Sequence, residues 1–371
     1  MATPWMARTS LTLLAASRVL MGVLQSGAHP ATYALINRWL PMSEASIFAP
    51  MIKMSVGIGQ LSASLIPGLI LKWPNVFYVI SALGIGWSII WLIVATSDPS
   101  TNRWVSKAEL AHIMKEKKNF KLDESSNKIA KKKTPWLKII TSPSVIGLII
   151  AKLTYNFCSD WLNVELPSYL KYVHHAPIQK ISAITTAMFV VQVSSVLPAG
   201  WLAKVCVQKK PWGLSKTSTR KIFESISTVG STILLILIIF NGCNLTYVTV
   251  YLMLIGLVST FEAGGDTMLP YDLSEEYPAT ILSIALCIGN LSGIAVTTLT
   301  SFVLGDQGGS QARWHTLIAL IAAFVFAGGL VFCLMIKAKP IDFESKKKQS
   351  ANENIESAST DRSQVDSIDS V

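Results

Sequence analysis

Long apolar runs separated by shorter polar stretches make up the chain as far as about residue 336. A helix needs about 20 mostly apolar residues to cross a bilayer. The pattern therefore predicts an all-α, polytopic membrane helix bundle of about nine spans, with uncertain ends. The predicted spans are 11–36, 46–71, 75–95, 143–165, 181–203, 222–242, 246–268, 279–304 and 315–336.

Composition supports lipid as the main solvent. The mean hydropathy is +0.45, 51% of the residues are hydrophobic and only 15% are charged, which is unusual for a water-soluble surface. The net charge of +10 could suggest nucleic acid, but the basic residues lie mostly in connecting segments, so no nucleic-acid partner is expected. The five cysteines are scattered singly, and no metal site is expected.

Basic residues predict the orientation and the domains. The segment 96–142, the connection 204–221 and the start of the tail at Lys337 are rich in Lys and Arg, which places them in the cytoplasm. The predicted domains are a partial N-terminal bundle of three spans (1–95), a cytoplasmic linker (96–142), a C-terminal six-helix bundle (143–336) and a disordered cytoplasmic tail (337–371). Asn244 begins an Asn-Leu-Thr sequon in an outer connection and is a glycosylation candidate.

The number of spans before the linker is also informative. Three predicted spans precede it and six follow, whereas a transporter of two six-helix halves has six on each side. We therefore expect that three N-terminal spans are missing from this chain, as in a splice form, a truncated gene product or a degenerate copy.

Polar residues in the first span share one helical face. Arg18, Gly22, Gln25 and His29 follow the spacing i, i+4, i+7, i+11. Arg18 lies roughly 10 Å inside the span, at 1.5 Å per residue. Its guanidinium could pair with a carboxylate or phosphate solute, or it could reach the headgroups or pair with another helix. Pro30 is expected to kink this helix.

The fourth span also has a polar stripe. Lys152, Asn156, Ser159 and Asn163 lie on one face, with Asp160 nearby, which favours a water-filled cavity. Lys152 is either a second contact for an anion or one half of a charge-neutralising pair with Asp160 that needs another helix. Glu262 and Asp266, four residues apart, either bind a cation or lie near the membrane interface.

Several segments together resemble the sodium–phosphate cotransporter, sialin and vesicular glutamate transporter family, a branch of the major facilitator superfamily. The matching segments are RVLMGVLQSGAHPA (18–31), RWLPMSEAS (38–46), TPWLKIITSPSV (134–145), WLNVELPSYLKYV (161–173), YDLSEEY (271–277) and IGNLSG (288–293). The residues that match structural motifs of the family are Gly22, Pro30, Trp39, Pro41, Glu44, Trp161, Pro167, Tyr169, Asp272 and Asn290.

The resemblance implies a major-facilitator fold containing family helices four to twelve. It implies a non-enzymatic secondary transporter of organic or inorganic anions, such as phosphate, urate or other carboxylates, that works by alternating access. A sodium ion or a proton could drive it, and no other cofactor is expected. The expected partners are a small anionic solute and membrane lipid, with no oligomeric state specified. The expected location is the plasma membrane or an endolysosomal or vesicular membrane, with a cytoplasmic C-terminus.

The residues that we predict to bind substrate are Arg18, Gln25, His29, Lys152 and Asn156. The sequence also departs from the family pattern. Gln25 replaces a family Glu implicated in proton coupling, and an amide cannot exchange a proton at physiological pH. Ser159 stands where the vesicular glutamate branch has Arg. A non-transporting, truncated or regulatory membrane protein derived from the family is therefore the alternative.

Overall fold

A computed structural model describes residues 2–28, 31–32, 35, 39, 42–70, 72–114, 134–241, 244–274, 277–305 and 310–341, and for 42–50, 52, 53 and 212 it describes the backbone alone. His29, Pro30, Pro41, the linker part 115–133 and the tail from 342 lie outside the described residues, as does the side chain of Glu44. Predictions that fall on these positions stay predictions.

The described chain is helical, with no strand within these ranges, which confirms the all-α fold class. The α-helices, numbered in chain order, are α1 (Thr3–Thr9), α2 (Leu11–Ser26), α3 (Met42–Leu69), α4 (Trp73–Val94), α5 (Trp136–Thr141), α6 (Pro143–Asp160), α7 (Leu166–Tyr172), α8 (Ile178–Lys209), α9 (Lys216–Asn241), α10 (Leu245–Ser259), α11 (Leu269–Leu273), α12 (Pro278–Gly289), α13 (Ser292–Leu304) and α14 (Gln311–Met335).

Six segments of the described chain are long and apolar enough to cross a membrane: Trp73–Val94, Ile178–Lys209, Lys216–Asn241, Leu245–Leu273, Pro278–Leu304 and Gln311–Met335. Shorter apolar helices at Leu11–Ser26 and Met54–Leu69 account for the first two predicted spans. The fourth predicted span is α6, whose polar stripe lowers its hydropathy. The predicted number of spans is therefore approximate, because three of them fall below the length or hydropathy that lipid alone requires.

Two helical segments of the described chain are interrupted near a glycine or a proline. A π-helix, Trp161–Glu165, joins α6 to α7 just before Pro167, which has no N–H to complete a regular ladder. A 3₁₀-helix, Thr260–Gly264, ends at Gly265 and separates α10 from α11. Interruptions of this kind expose backbone groups and re-aim side chains inside a bundle.

The core lies among the helices that follow the linker. Its largest fully buried side chains include Trp161, Tyr169, Trp314 and Phe332, contributed by the π-helix, α7 and α14. By contrast, α2 and α4 contain no buried residue. A continuous packed interior therefore exists only in the later part of the described chain.

Helix α3 packs along α8 and so connects the helices before the linker with those that follow it. These two sets are the two helix groups. Ser182 of α8 donates a hydrogen bond to the Ser64 carbonyl of α3, and the Ser64 hydroxyl lies 3.0 Å from that of Thr186. A Cβ atom on Gly57 would lie 2.6 Å from Val193. Small residues and hydroxyl contacts thus allow these two backbones to approach closely, as is usual between helices in a membrane.

Candidate functional site

Lys152 lies at the centre of a buried ion cluster between α6 and the interrupted helix α10–α11. Lys152 is 4% exposed. The Nζ atom forms an ion pair with Glu262, lies 2.8 Å from Asp266 Oδ1 and donates to Thr267 Oγ1 at 3.1 Å. Because the 3₁₀-helix ends at Gly264, Glu262 and Asp266 turn toward the same ammonium group. The cluster therefore depends on the helix interruption.

A third carboxylate reaches this cluster from α9. Glu224 is fully buried, and its Oε2 atom accepts a hydrogen bond from the Asp266 N–H at 3.3 Å. Its Oε1 atom has no hydrogen-bond partner among the described residues. A Cβ atom on Gly265 would lie 2.5 Å from Glu224 Oε2, so glycine is required for this approach. Two carboxylates thus contact the ammonium group, and a third, Glu224, lies against the backbone of Asp266.

A second ion pair lies one helical turn before Glu224, toward the predicted cytoplasmic end of α9. Arg220 Nε donates to Asp272 Oδ2 at 2.7 Å, and Arg220 Nη1 donates to the Gly264 carbonyl at 2.8 Å. Lys216 Nζ lies 3.6 Å from Asp272 Oδ1. Arg220 therefore satisfies a carbonyl that the helix interruption leaves exposed, and it ties α9 to α11.

The predicted pair of cations is separated in the structure. Arg18 is exposed on α2, and its guanidinium carbon lies 5.8 Å from the centre of the Phe77 ring of α4. Gly22 and Gln25 are exposed on the same helix. Among the described contacts, none joins this face to Lys152. Arg18 and Lys152 therefore occupy different environments in this conformation, and only Arg18 keeps its charge available to a solute.

The polar stripe of α6 contacts α12 and α13. Asn156 Nδ2 lies 3.4 Å from Asn290 Oδ1, and the Ser292 hydroxyl donates to Asp160. Asp160 is thus paired with a hydroxyl group, while Lys152 pairs with Glu262 and Asp266. Of the two interpretations of Lys152, the structure shows charge neutralisation, but the partners come from a segment more than 100 residues away in sequence.

The remaining motif residues have packing or capping contacts. Trp161 and Tyr169 are fully buried, and the Tyr169 ring meets Trp314 edge-on at 5.5 Å. Trp39 Nε1 donates to the Thr96 carbonyl at 3.1 Å. Asn244, the glycosylation candidate, is exposed and caps α10 by accepting the Thr246 N–H at 2.9 Å. These contacts explain a structural role for the residues they involve.

Two cavities lie near Leu162. A cavity of about 530 Å³ lies between α3 and α8 and includes Gln60, Asn163 and Pro167 in its lining. A smaller one of about 30 Å³ lies inside the later bundle and is lined by Tyr155, Gln192 and several hydroxyl groups. Leu162 lines both. The residues that line these two cavities are uncharged. A molecule bound there would therefore be oriented by hydrogen bonds.

Glu224 and the role of Arg220 were missed at the sequence level. Glu224 is the only acidic residue in the predicted span 222–242, and an ionisable residue inside a span is by itself a reason to suspect function. Arg220 belongs to the basic connection 204–221, whose composition indicates only a cytoplasmic location. The distance of either residue from the α10–α11 interruption cannot be read from the sequence.

Long apolar helices with charged groups buried between them define a polytopic membrane helix bundle. The chain belongs to the Major Facilitator Superfamily, whose sequence model matches residues 1–214.

Curated relatives agree with the more specific resemblance to the sialin and vesicular glutamate transporter branch. The chain is 25% identical over 342 residues to an uncharacterized transporter of Caenorhabditis elegans, covering 89% of this chain and 67% of the relative. It is 26% identical over 325 residues to human vesicular glutamate transporter 2, covering 85% and 53%. It is 23% identical over 340 residues to sheep sialin, covering 91% and 66%. The chain thus spans about half the length of the vesicular glutamate transporters that it matches.

The fold likewise matches solved transporters. A bacterial homolog of the human lysosomal transporter Spinster, in an inward-facing and occupied conformation, superposes with a TM-score of 0.59 over 90% of this chain and 79% of that chain. Their sequence identity is 14%. This likeness confirms the major-facilitator fold.

Proposed function

We propose that the chain is a secondary active transporter of small organic or inorganic anions that works by alternating access. The observation that supports this most is its similarity, over most of its length, to sialin and to vesicular glutamate transporters. Phosphate, urate and other carboxylates are the proposed substrates, and a proton or sodium gradient or the membrane potential is the proposed driving force. The chain is a multi-pass membrane protein, and its proposed location is the plasma membrane or an endolysosomal or vesicular membrane, with the C-terminus in the cytoplasm.

Arg18 is the proposed anion-binding residue. Its charge is held against an aromatic ring and is not neutralised by a carboxylate in the described contacts, so it can still form a bidentate pair with a phosphate or carboxylate. Gln25 lies two turns further along the same helix and can donate a hydrogen bond from its amide. His29 and Asn156 remain proposed polar contacts. Lys152 could join them only if its carboxylate partners release it.

Uptake into proteoliposomes tests this proposal. The purified chain is reconstituted, and entry of radiolabelled phosphate, urate and glutamate is measured with and without an imposed pH, sodium or potential gradient. Arg18→Ala should reduce uptake of the transported anion by about 10- to 100-fold, because a hydrogen bond to a charged group contributes about 1.5–3 kcal/mol. Arg18→Lys should retain part of the activity.

Arg8→Ala is the matched control. Arg8 is also exposed, and its guanidinium carbon lies 5.9 Å from the centre of the Trp73 ring, but it is outside the polar face that begins at Arg18. Its loss should leave uptake unchanged. Equal loss in both variants would reject a specific role for Arg18.

The second candidate is a non-transporting regulatory membrane protein of the same family. The departures from the family pattern at Gln25 and Ser159 favour it, because an amide at position 25 cannot exchange a proton at physiological pH. Absence of uptake in the wild type, together with retained binding of the labelled anion, would support this candidate and reject transport.

A further inference from the structure

We propose that Glu224 binds a proton and is a neutral carboxylic acid in this conformation, so that the buried cluster around Lys152 is a proton-binding site. The inference begins from charge. Lys152, Glu224, Glu262 and Asp266 are each no more than 4% exposed. Three ionised carboxylates around a single ammonium group would leave an excess of negative charge in a place without bulk water, and a buried group in that position takes up a proton instead.

The contacts identify Glu224 as the group that carries the proton. The ammonium group of Lys152 contacts Glu262 and Asp266, and Thr267 donates a further hydrogen bond to Glu262 at 2.9 Å. Glu224 receives only the Asp266 N–H, on Oε2. Its other oxygen, Oε1, has no hydrogen-bond partner in the described part of the chain. The same is true of Asp266 Oδ2, but Asp266 contacts the Lys152 ammonium group through Oδ1. A proton on Oε1 neutralises Glu224, the carboxylate for which the described contacts include no cation.

Among the described residues, hydrogen bonds and ion pairs give Glu224 no cation of its own. The charged groups that face it from adjacent elements are Lys152 of α6 and the carboxylates Glu262 and Asp266 of the interrupted helix. Arg220, one turn earlier on α9 itself, is held by Asp272 and the Gly264 carbonyl. Both nearby cations therefore already have partners, and the acid form of Glu224 avoids an uncompensated charge.

A proton fits this site better than a metal ion. The position between Glu262 and Asp266 is occupied by the Lys152 ammonium. Within the described ranges, no group of three or more His, Cys, Asp or Glu residues is placed to hold a metal ion. A proton needs one oxygen atom, whereas sodium or calcium needs several oxygen ligands at once.

Hydroxyl groups lead from the cluster into the small cavity. Tyr155, which interacts with Glu262, lines that cavity together with Ser227, Thr228 and Ser259. Thr228 lies one turn after Glu224 and donates to its carbonyl at 2.9 Å. A volume of about 30 Å³ is enough for one water molecule. Oε1 gains its proton from water and returns it to water when Glu224 becomes a carboxylate, and none of the described hydroxyl groups contacts Oε1 itself.

This proton site also suggests how anion transport could be coupled to a proton gradient, since Gln25 cannot carry a proton. That extension rests on the proposed transport function. The proton site itself is tested without transport, so failure of the uptake assay and failure of this inference are distinguishable.

Infrared spectroscopy of the purified full chain in detergent at pH 7.5 tests the site directly. A neutral carboxyl group gives a C=O stretching band that is separate from that of a carboxylate and shifts in heavy water. The wild type should show this band, and Glu224→Gln should lose it. Glu109→Gln is the control and should retain the band, because Glu109 is exposed.

Glu224→Gln should also fold, because an amide resembles the neutral acid in shape and hydrogen bonding, and it should elute from size exclusion as the wild type does. No band in the wild type, or an unchanged band in Glu224→Gln, would overturn the proposal. A Glu224→Gln chain that does not fold would also overturn it, since this would show that the site requires the charged form. Sodium-dependent stabilisation without a carboxylic acid band would point to a metal ion instead and reject the proton.

Discussion

Removal of the Lys152 ammonium is the most informative perturbation of the ion cluster. Lys152→Met keeps an unbranched side chain of similar length but leaves Glu262 and Asp266 without the cation that each contacts. Breaking a buried ion pair from one side costs about 3–5 kcal/mol, because it leaves an uncompensated charge. We expect the free energy of unfolding to fall by about that amount, measured by equilibrium unfolding in mixed micelles.

Neutralising the carboxylates should reverse much of this loss. In the triple variant that combines Lys152→Met with Glu262→Gln and Asp266→Asn, no buried charge remains without a partner, and at least half of the lost stability should return. Lys171→Met is the matched control: Lys171 is exposed, its Nζ lies 5.3 Å from the centre of the Tyr172 ring, and the change should stay within about 0.5 kcal/mol. A Lys152→Met chain within about 1 kcal/mol of the wild type would refute the ionic description of the cluster.

Two further predictions concern packing and pH. Gly329→Ala would place a methyl group 2.7 Å from Thr228 Cβ on α9 and should reduce the free energy of unfolding by about 1–3 kcal/mol. Gly86→Ala is the control, because no atom lies within 4 Å of the added methyl group, and it should leave stability unchanged. Equal effects of the two variants in thermal unfolding would contradict the close approach of α9 and α14. Burial, followed by the neighbouring His175 and His315, lowers the pKa of His174 in the loop between α7 and α8 below its usual 6.5. The folded state therefore favours neutral His174, and its stabilising contribution is present above pH 6.5 and is lost as the pH falls through the lowered pKa. The thermal midpoint of the wild type should thus fall more steeply between pH 7 and 5 than that of His174→Gln, and parallel curves would reject this role.

The apolar runs predicted the helices well because burial in lipid requires internally satisfied backbone groups. Helices α8, α9 and α14 were recognisable from continuous apolar sequence, and the family resemblance was confirmed by the comparisons. The interruptions were harder to predict. Gly264, Gly265 and Pro167 are visible in the sequence, but whether such residues bend, break or shift a helix depends on what packs beside them.

The sequence by itself determined that lipid surrounds the chain, that the fold is helical and which family it belongs to. Each of these follows from local composition or from the order of motifs. It also marked Lys152, Glu262 and Asp266 as unusual, since charged residues within a span are costly wherever they fall. Only the tertiary structure decided that Lys152 pairs with Glu262 and Asp266 and not with Asp160, and that Glu224 joins them. Those contacts link positions more than 100 residues apart for Lys152 and depend on the angle at which α10 breaks, which helix packing sets.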